Sequence, residues 1–570
     1  MERRGQLDSP GPTRVVFLII CALLIIVSTQ AARADTASAR DARIKALIDQ
    51  HRWNEVVREV EREADRDADL YYYYGTALAQ LNRWDEAKAA FLAGRHLAPQ
   101  DARFPVELGG VAFKQKRYAE AAKWVRRGLR LDPSDNYAND FLGTIYFLQG
   151  NLEAALKHWN RIDKPKIQNV NVEPGLHVSP ALLDRAFAFS PAAVLRESDL
   201  LTSQARVDAL GIFPTHRFEL AAREDGSFDL NYRAHELNGF GANKWAALLS
   251  ALRGLPYETV YIDYFNARGS ALNAGAMVRW DDQKRRLTAT ISTPLEHNPK
   301  YRWALGADLR NELWGLRSTF DSPTFAGLNL RREAVTGSLT SFGGRLTWSL
   351  GGELSDRQFR TTAVPPNLLP FILPAYQLKQ TSTLRYALWR IPERRSVVTT
   401  AVSAETGAIW STPNHNFEKL QASAQWHWFP QISGDDYAIR EEIRAGKTFG
   451  TVPFDELFML GLERDNDLWL RAHIGTRNGL KGSAPLGRNY FLSNWDLDKN
   501  IYNNGLFGIK LTPLLDIAKI TDPSKVLGSH QWLFDTGIQL KFSVLGVGIV
   551  FTYGKDLRTG NNAFYATTER

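Results

Sequence analysis

The spacing of hydrophobic positions changes along the chain. Residues 35–167 carry apolar and small side chains at helical spacing, whereas from Glu258 onward apolar side chains alternate with polar ones. In one such segment Leu287, Ala289 and Ile291 interleave with Thr288, Thr290 and Ser292. A period near 3.6 indicates helices, and a period of two indicates strands with one apolar face. The pattern therefore predicts a multidomain chain, helical in its N-terminal part and rich in strands in its C-terminal part.

The first 34 residues have the pattern of a secretory signal peptide. Arginines precede the apolar run Val15–Val27, and Ala32-Arg33-Ala34 supplies small residues for cleavage before Asp35. The 13 residues of the run rise only about 20 Å as a helix, against roughly 30 Å for a bilayer core, so a membrane anchor is the weaker alternative. We therefore predict that residues 1–34 are removed and that the chain is exported.

Residues 35–167 repeat with a step of 34 positions. The repeated positions are Gly75, Gly109 and Gly143; Ala87, Ala121 and Ala155; Phe91, Val125 and Trp159; and Pro99 and Pro133. Small residues let two helices of a pair approach closely, the large residue fills the gap between pairs, and proline ends the second helix. This is the tetratricopeptide (TPR) pattern. Such an array predicts a concave surface for a protein partner, with a rigid spacer as the alternative.

The next region predicts a small α+β domain at residues 178–238. We expect a strand at Asp184–Ser190, two short helices within Pro191–Gly211 and a strand pair across Glu224–Gly226. This order resembles a polypeptide-transport-associated (POTRA) domain. The following linker, residues 239–257, is amphipathic, and we expect it to plug or cap the entrance of the domain that follows.

Residues 258–570 predict a transmembrane antiparallel β-barrel. Several apolar faces end in Trp or Tyr, residues that favour the membrane interface, while Arg and Asp fall on the opposite, inward face. Sixteen alternating segments can be counted, and one of them lies at 453–460. An even number suits a closed antiparallel barrel, in which every backbone group is paired. A soluble sandwich or propeller is the alternative.

A long segment between Leu460 and Tyr490 interrupts the regular succession of β-hairpins. The stretch Val452–Asn494 resembles the C-terminal half of BamA/TamA-type outer-membrane barrels, the bacterial surface antigen family. The resemblance implies that this loop folds into the lumen and that Arg471 meets Asp496 and Asp516. Ala472 and His473 replace the glycine and aromatic residue that are usual in the family.

Composition excludes several other classes of protein. The chain has 70 basic and 62 acidic residues, a mixed surface on which a nucleic-acid site is not expected. Its one cysteine, Cys21, lies in the predicted signal, which excludes zinc ribbons, disulfide frameworks and cysteine nucleophiles from the rest. There is no G-x-S-x-G motif, and the 11 histidines are scattered. We therefore predict a protein that is not an enzyme and has no catalytic, cofactor or metal residues.

The resemblance implies an outer-membrane assembly or translocation factor of a Gram-negative-type bacterium, with its N-terminal domains in the periplasm. The expected partners are outer-membrane lipid, unfolded outer-membrane or secreted polypeptides, and a periplasmic protein bound by the repeats; no nucleic acid and no cofactor are expected. The alternative is a surface antigen or passive pore whose repeats tether a periplasmic partner.

Overall fold

A computed structural model describes residues 39–317, 320–432, 434–504, 507–523, 527, 531–544 and 547–569. The predicted signal peptide and Cys21 lie outside these ranges. The chain divides into two compact units between Leu148 and Gln149. Within the described ranges, no helix has both the length and the apolar character needed to cross a bilayer.

The first unit is helical. After helical residues 39–49 come α1 (Trp53–Glu61), α2 (Ala68–Gln80), α3 (Trp84–Leu97), α4 (Arg103–Lys114), α5 (Tyr118–Leu131) and α6 (Asn136–Leu148). Each predicted proline follows a helix by two residues, Pro99 after α3 and Pro133 after α5. The predicted small positions allow close approach, because a Cβ added at Gly75 would lie 2.6 Å from the Phe91 ring and one at Gly109 would lie 2.5 Å from Val125.

We predict that Gly75→Ala destabilises the helical array by about 1–3 kcal/mol, because the new methyl group overlaps the buried Phe91 ring. Gly110→Ala, on α4, is the matched control, since the nearest atom there is 3.9 Å away. It should leave stability unchanged or raise it by up to about 1 kcal/mol through helix propensity. The measurement is thermal loss of helical circular dichroism in the full chain. Equal midpoints for the two variants would contradict the packing.

The second unit opens with α7 (Leu152–Trp159) and a small three-stranded domain. Its elements are β1 (Ile167–Val172), α8 (Pro180–Ala186), α9 (Glu197–Leu210), β2 (Thr215–Ala222) and β3 (Phe228–His235). The strand order is β1–β3–β2, with β1 parallel and β2 antiparallel to β3. The predicted strand pair is therefore present, with an additional strand before the predicted start of the domain.

The strand predicted at Asp184–Ser190 is wrong. Pro180 occupies the first turn of α8, where its fixed φ and missing N–H are tolerated. Leu182, Leu183 and Ala186 are buried at helical spacing. The first strand is instead β1, whose Asn169 and Asn171 side chains hydrogen-bond to β3 at 3.0 Å each. Because these side chains are polar, the hydropathy pattern did not predict this strand.

Long strands then form the wall of a closed barrel. They are β4 (Thr259–Ala267), β5 (Leu272–Arg279), β6 (Lys284–Leu295), β7 (Asn298–Leu316), β8 (Ala326–Gly343), β9 (Leu346–Ala363), β10 (Ala375–Ile391), β11 (Ser396–Trp410), β12 (His415–Trp428), β13 (Tyr437–Gly450), and, after four two-residue strands β14–β17, β18 (Asn489–Asn503), β19 (Phe507–Thr521), β20 (Leu533–Val544), β21 (Val547–Asp556) and β22 (Asn562–Glu569). Among the described residues these are fifteen wall strands, each overlapping a predicted segment.

Of the sixteen predicted segments, fifteen are wall strands among the described residues and one, at 453–460, is not. The extra segment, 453–460, contains a 3-10 turn at Phe454–Glu456 and only a two-residue strand. Pro453 has no N–H for a ladder. Val452, Phe454 and Leu457 are all buried in one apolar cluster, so they do not alternate between two faces. This segment begins the long loop and leaves the wall.

The two faces of the wall differ in polarity as predicted. On β7, Leu305 and Leu309 are 52% and 43% exposed on the outside, while Asp308 and Arg310 bond each other on the inside and Glu312 is buried there. At the end near the small domain, the rings of Tyr301 and Trp348 lie 6.4 Å apart. An apolar exterior around a charged interior is the arrangement of a membrane barrel.

The closing seam joins β22 to β4. Every step from β4 round to β22 is antiparallel, so with fifteen strands the first and last run in the same direction. A regular antiparallel ladder cannot form between strands that run the same way. The seam is therefore different in kind from the rest of the wall.

The linker predicted to cap the barrel entrance lies along this edge of the sheet. Gly239 exchanges both backbone hydrogen bonds with Phe265 near the end of β4. Next, α10 (Lys244–Leu252) packs against β4 and also reaches β21. Tyr257 then donates its hydroxyl to the carbonyl of Ala566 in β22. The linker therefore packs beside the two strands that close the barrel.

The small domain and α7 both contact the turns at one end of the barrel. The Ser179 N–H bonds the Gly269 carbonyl at 2.7 Å between β4 and β5. Arg390 forms an ion pair with Glu153 of α7, with 2.6 Å between Nη2 and Oε2. Next to it Glu393 pairs with Lys157 at 2.7 Å. Burial alone would raise the pKa of Glu393, but His158 and Lys157 lower it to about 2.

Candidate functional site: the lumenal loop

Residues 451–488 connect β13 to β18 and fold into the barrel. Two short pairings give the loop its shape: β14 (Phe458–Met459) with β17 (Leu486–Gly487), and β15 (Thr476–Arg477) with β16 (Leu480–Lys481). Phe458, Leu460 and Leu470 pack with wall residues in one buried apolar cluster. The loop therefore has a defined structure that is continuous with the lumenal face.

Arg471 is the centre of the first anchor. Its guanidinium contacts Asp516 in β19, with 2.6 Å between Nη2 and Oδ1, and also contacts Asp496 in β18. The backbone N–H of Arg471 bonds the same Asp516 carboxylate at 2.9 Å. Asn494 adds a bond of 2.7 Å to Asp516. Burial alone would lower the pKa of Arg471, but the two carboxylates raise it, so the guanidinium stays charged.

His473 extends this anchor to two further strands. Its Nδ1 lies 3.1 Å from Asp535 in β20 and its Nε2 lies 3.6 Å from Asp556 in β21. The Ala472 N–H bonds Asp535 as well. Burial alone would lower the pKa of His473, but the hydrogen bond to Asp535 and the charges of Asp535 and Asp556 raise it. A protonated imidazole between two carboxylates can donate to both.

We predict that the loop anchor weakens at alkaline pH. Because the pKa of His473 is raised on folding, its stabilisation is complete below the ordinary value of about 6.5 and is lost as pH rises through the higher folded value. The loss corresponds to charge-assisted hydrogen bonds of about 1.5–3 kcal/mol. The unfolding midpoint of the barrel, followed by the shift of its gel mobility on heating, should be lower at about pH 9 than at about pH 6.

His473→Phe should remove the histidine-dependent part of this pH effect, whereas His177→Phe, at an exposed histidine that also meets a carboxylate, should retain it. Identical pH profiles for the wild type and His473→Phe would contradict the assignment.

A second anchor joins Asp455 and Glu456 to basic residues on β8, β9 and β10. Arg357 Nε lies 2.5 Å from Asp455 and Arg332 lies 3.1 Å from it. Glu456 lies 3.2 Å from both Arg332 and Lys379. Burial would raise the pKa of each loop carboxylate, but these cations lower it. Both acids therefore remain ionised although their side chains are largely buried.

A third anchor lies on β5, β6 and β7, next to the strands of the second anchor. Asp465 contacts Arg279 of β5 at 2.9 Å, Arg286 of β6 at 2.5 Å and Lys481 of the loop itself at 3.0 Å. Lys481 in turn bonds Glu312 of β7 at 2.6 Å. Burial would raise the pKa of Asp465, but the cations hold it well below its usual range. The three anchors together attach the loop to wall strands on both sides of the lumen.

The contacts within the three anchors are those of electrostatic support. Each buried charge has an opposite charge at contact distance, which is the condition for retaining ionised groups away from water. Within the described ranges, His473, Asp535 and Asp556 are the one group whose ligand atoms lie close enough together, within 4.8 Å, to hold a metal ion. Their hydrogen bonds and ion pairs with one another account for the same geometry.

The structure brings together the three residues that the resemblance named, Arg471, Asp496 and Asp516. Sequence reasoning missed the second and third anchors. A signal was available, because arginines at inward positions such as Arg332 and Arg357 need acidic partners, and the loop supplies consecutive acids at Asp455 and Glu456. Which acid meets which strand depends on the path of the loop.

The predicted repeat positions lie in helix packing. Ala87, Phe91, Ala121 and Ala155 are fully buried. The Trp159 ring, 3% exposed, lies 5.4 Å from the Phe228 ring in the small domain, so the last large position packs on a different fold. Their role in partner binding stays a prediction.

Comparison with known proteins gives one family model and several similar structures. A tetratricopeptide repeat model matches residues 75–136, which confirms the predicted repeat there. No curated protein matches the chain. BamA from Haemophilus ducreyi lacking POTRA domains 1–3 is similar over 71% of this chain and 84% of that chain, with 13% identity and a TM-score of 0.42. CdiB from Escherichia coli is similar over 71% and 75%, with 13% identity and a TM-score of 0.45.

For the repeats, YrrB, a TPR protein with an unusual peptide-binding site, is similar over 22% of this chain and 65% of that chain, with 21% identity and a TM-score of 0.20. The similar structures over the barrel region thus include BamA and CdiB, and the repeat region matches a tetratricopeptide model.

Proposed function

We propose that this protein is an outer-membrane factor that inserts or translocates polypeptides without enzymatic chemistry. The observation that carries the proposal is a barrel whose lumen holds an ion-paired loop and whose wall closes at a seam unlike its other strand pairs. A passive pore needs an open lumen and has no use for a weak seam. An insertion factor needs a place where the wall can part and a loop that keeps the lumen closed when it does.

The barrel exterior supports a location in lipid. Large apolar side chains are exposed on many wall strands, among them Leu350, Leu354, Leu384, Val402 and Leu420, each at least 44% exposed. In water so large an apolar surface would drive aggregation. In a bilayer this apolar surface contacts the lipid acyl chains, and the closed sheet leaves few backbone groups unpaired. We infer an outer-membrane barrel with its N-terminal domains in the periplasm.

The N-terminal domains supply surfaces for clients and partners. In the small sheet β3 is central, so β2 lies at an edge that can accept an extended polypeptide strand. The edge of β1 is partly occupied, because Ile167 exchanges backbone hydrogen bonds with Ala192 and Ala193. The helical array supplies a second surface, of the kind used for protein partners. We infer that these modules hold an unfolded client near the barrel, and that the seam between β22 and β4 receives its strands.

The test is folding of a client in the presence of the reconstituted protein. Mature chain in liposomes should accelerate the gain of protease resistance by a small unfolded outer-membrane barrel, relative to empty liposomes and to liposomes that hold an unrelated porin. Absence of acceleration by folded, heat-modifiable protein would contradict the proposal. Steady conductance in a planar bilayer together with that result would favour the passive pore.

A further inference from the structure

The outer face of the barrel carries an aromatic groove at the end near the small domain. It has a volume of about 500 Å³ and lies over β10 to β13, next to the turn at residues 392–395. Its walls include Trp389, Trp426, Trp428 and Ile443. Trp389 is 61% exposed and Ile443 is 36% exposed on the outside of the wall. With the barrel in an outer membrane, this end of the wall would lie at the membrane interface, where tryptophan is favoured.

One carboxylate, that of Glu441, lines this apolar groove. Glu441 lies on β13 between Trp426 of β12 and Trp495 of β18 in the strand register. Its neighbour Arg440 pairs with Asp498 on the inner face, so Glu441 projects outward. The aromatic side is fixed, because Trp426 and Trp428 stack with centroids 5.7 Å apart and Trp426 Nε1 donates to Ser396 at 3.0 Å.

An arginine stands at the rim of the same groove. In the turn after β10, Glu393 pairs with Lys157, and Arg395 pairs with Asp435 at 2.6 Å. Arg394, between them, lines the groove and is exposed. In the part of the chain that the structure describes, neither the Arg394 nor the Glu441 side chain has a hydrogen bond or an ion pair within the protein.

We propose that this groove binds a phospholipid with an aminoethyl phosphate head group. An uncompensated carboxylate on a lipid-facing surface is costly, and an ammonium group supplies the missing charge and hydrogen-bond donors. Arg394 supplies the matching cation for the phosphate. Trp and Ile side chains then line the path of an acyl chain. The charges fit a zwitterionic head group and leave Glu441 opposed to a purely anionic one. This inference rests on the proposed location in lipid.

The test is native mass spectrometry of the full chain in non-ionic detergent after removal of bound lipid. Phosphatidylethanolamine should be retained in preference to phosphatidylglycerol. Glu441→Gln should weaken retention of the ethanolamine lipid by about tenfold, the loss of one charge-assisted contact. Lys447→Gln, an outward charge on the same strand, is the matched control and should leave retention within about twofold.

Equal retention of the two lipids by the wild type would overturn the proposal, as would unchanged retention in Glu441→Gln. If Glu441→Gln fails to fold, as judged by gel mobility before and after heating, Arg394→Gln in the turn gives the same test and should also weaken retention. Because the readout is lipid binding, a failure here leaves client folding by the same preparation unaffected. If client folding failed while lipid selectivity was intact, that result would instead contradict the proposed function.

Discussion

Replacing Arg471 with alanine should release the lumenal loop and abolish most of the acceleration of client folding. The substitution leaves Asp516, which is fully buried, without its cation. Removing one partner of a buried ion pair typically costs about 3–5 kcal/mol. We expect new protease cleavage within residues 451–488 and larger, noisier conductance in planar bilayers, because the loop no longer closes the lumen. The three measurements should change together.

Arg331→Ala is the matched control, since Arg331 forms an exposed pair with Glu333, in which both side chains are nearly half exposed. Such pairs contribute about 0–1 kcal/mol, so protease resistance, conductance and client folding should stay at wild-type levels. A folded Arg471→Ala barrel whose loop remained protected would show that the other two anchors suffice and that Arg471 is dispensable.

Locking the seam should stop client insertion while the barrel stays folded. The only native cysteine, Cys21, precedes the predicted mature chain, so introduced cysteines can be modified alone. Tyr257 and Ala566 contact each other across the seam. A flexible, cleavable bis-maleimide between Tyr257→Cys and Ala566→Cys should lower the rate of client folding by at least about tenfold, which corresponds to about 1.4 kcal/mol in the barrier. Cleavage of the linker should restore it.

The control lock joins two wall strands that are not expected to part. Leu384 of β10 and Val402 of β11 are direct register partners, and both are exposed on the outer face. Cross-linking cysteines at these positions should leave the rate unchanged, and the uncross-linked double variants set the reference for each pair. Full activity with a locked seam would place the route of the client elsewhere.

The sequence identified the barrel strands well because a membrane wall imposes strict alternation. Each of the fifteen wall strands overlaps an alternating segment, since a slip of one residue would turn charged side chains such as Asp308 into lipid. The wrong segment at 453–460 has apolar residues that are all buried inside the lumen. A hydropathy pattern shows which positions are apolar. It does not distinguish an apolar side chain buried in the lumen from one exposed to lipid.

The seam and the loop anchors needed three-dimensional information. Whether the first and last strands run in the same or in opposite directions depends on whether the number of wall strands is odd or even. One misassigned segment therefore reversed the expected relative direction of β4 and β22. For the linker at 239–257, the sequence predicted an amphipathic segment, but its place beside β4 follows from contacts such as Gly239 with Phe265. Arg471, Asp496 and Asp516 were named through family resemblance, and nothing in their spacing alone would have joined them.

Cross-linking during insertion tests whether client strands enter the wall at the seam. A client barrel with one cysteine in its last strand would be added to proteoliposomes that carry a cysteine at Phe564, which is 71% exposed on β22. The comparison position is Leu384, on the outer face of β10. We expect a transient cross-link to position 564 that disappears as the client becomes protease resistant, with none at position 384. Equal cross-linking at both positions, or none at position 564 while the client folds, would contradict it.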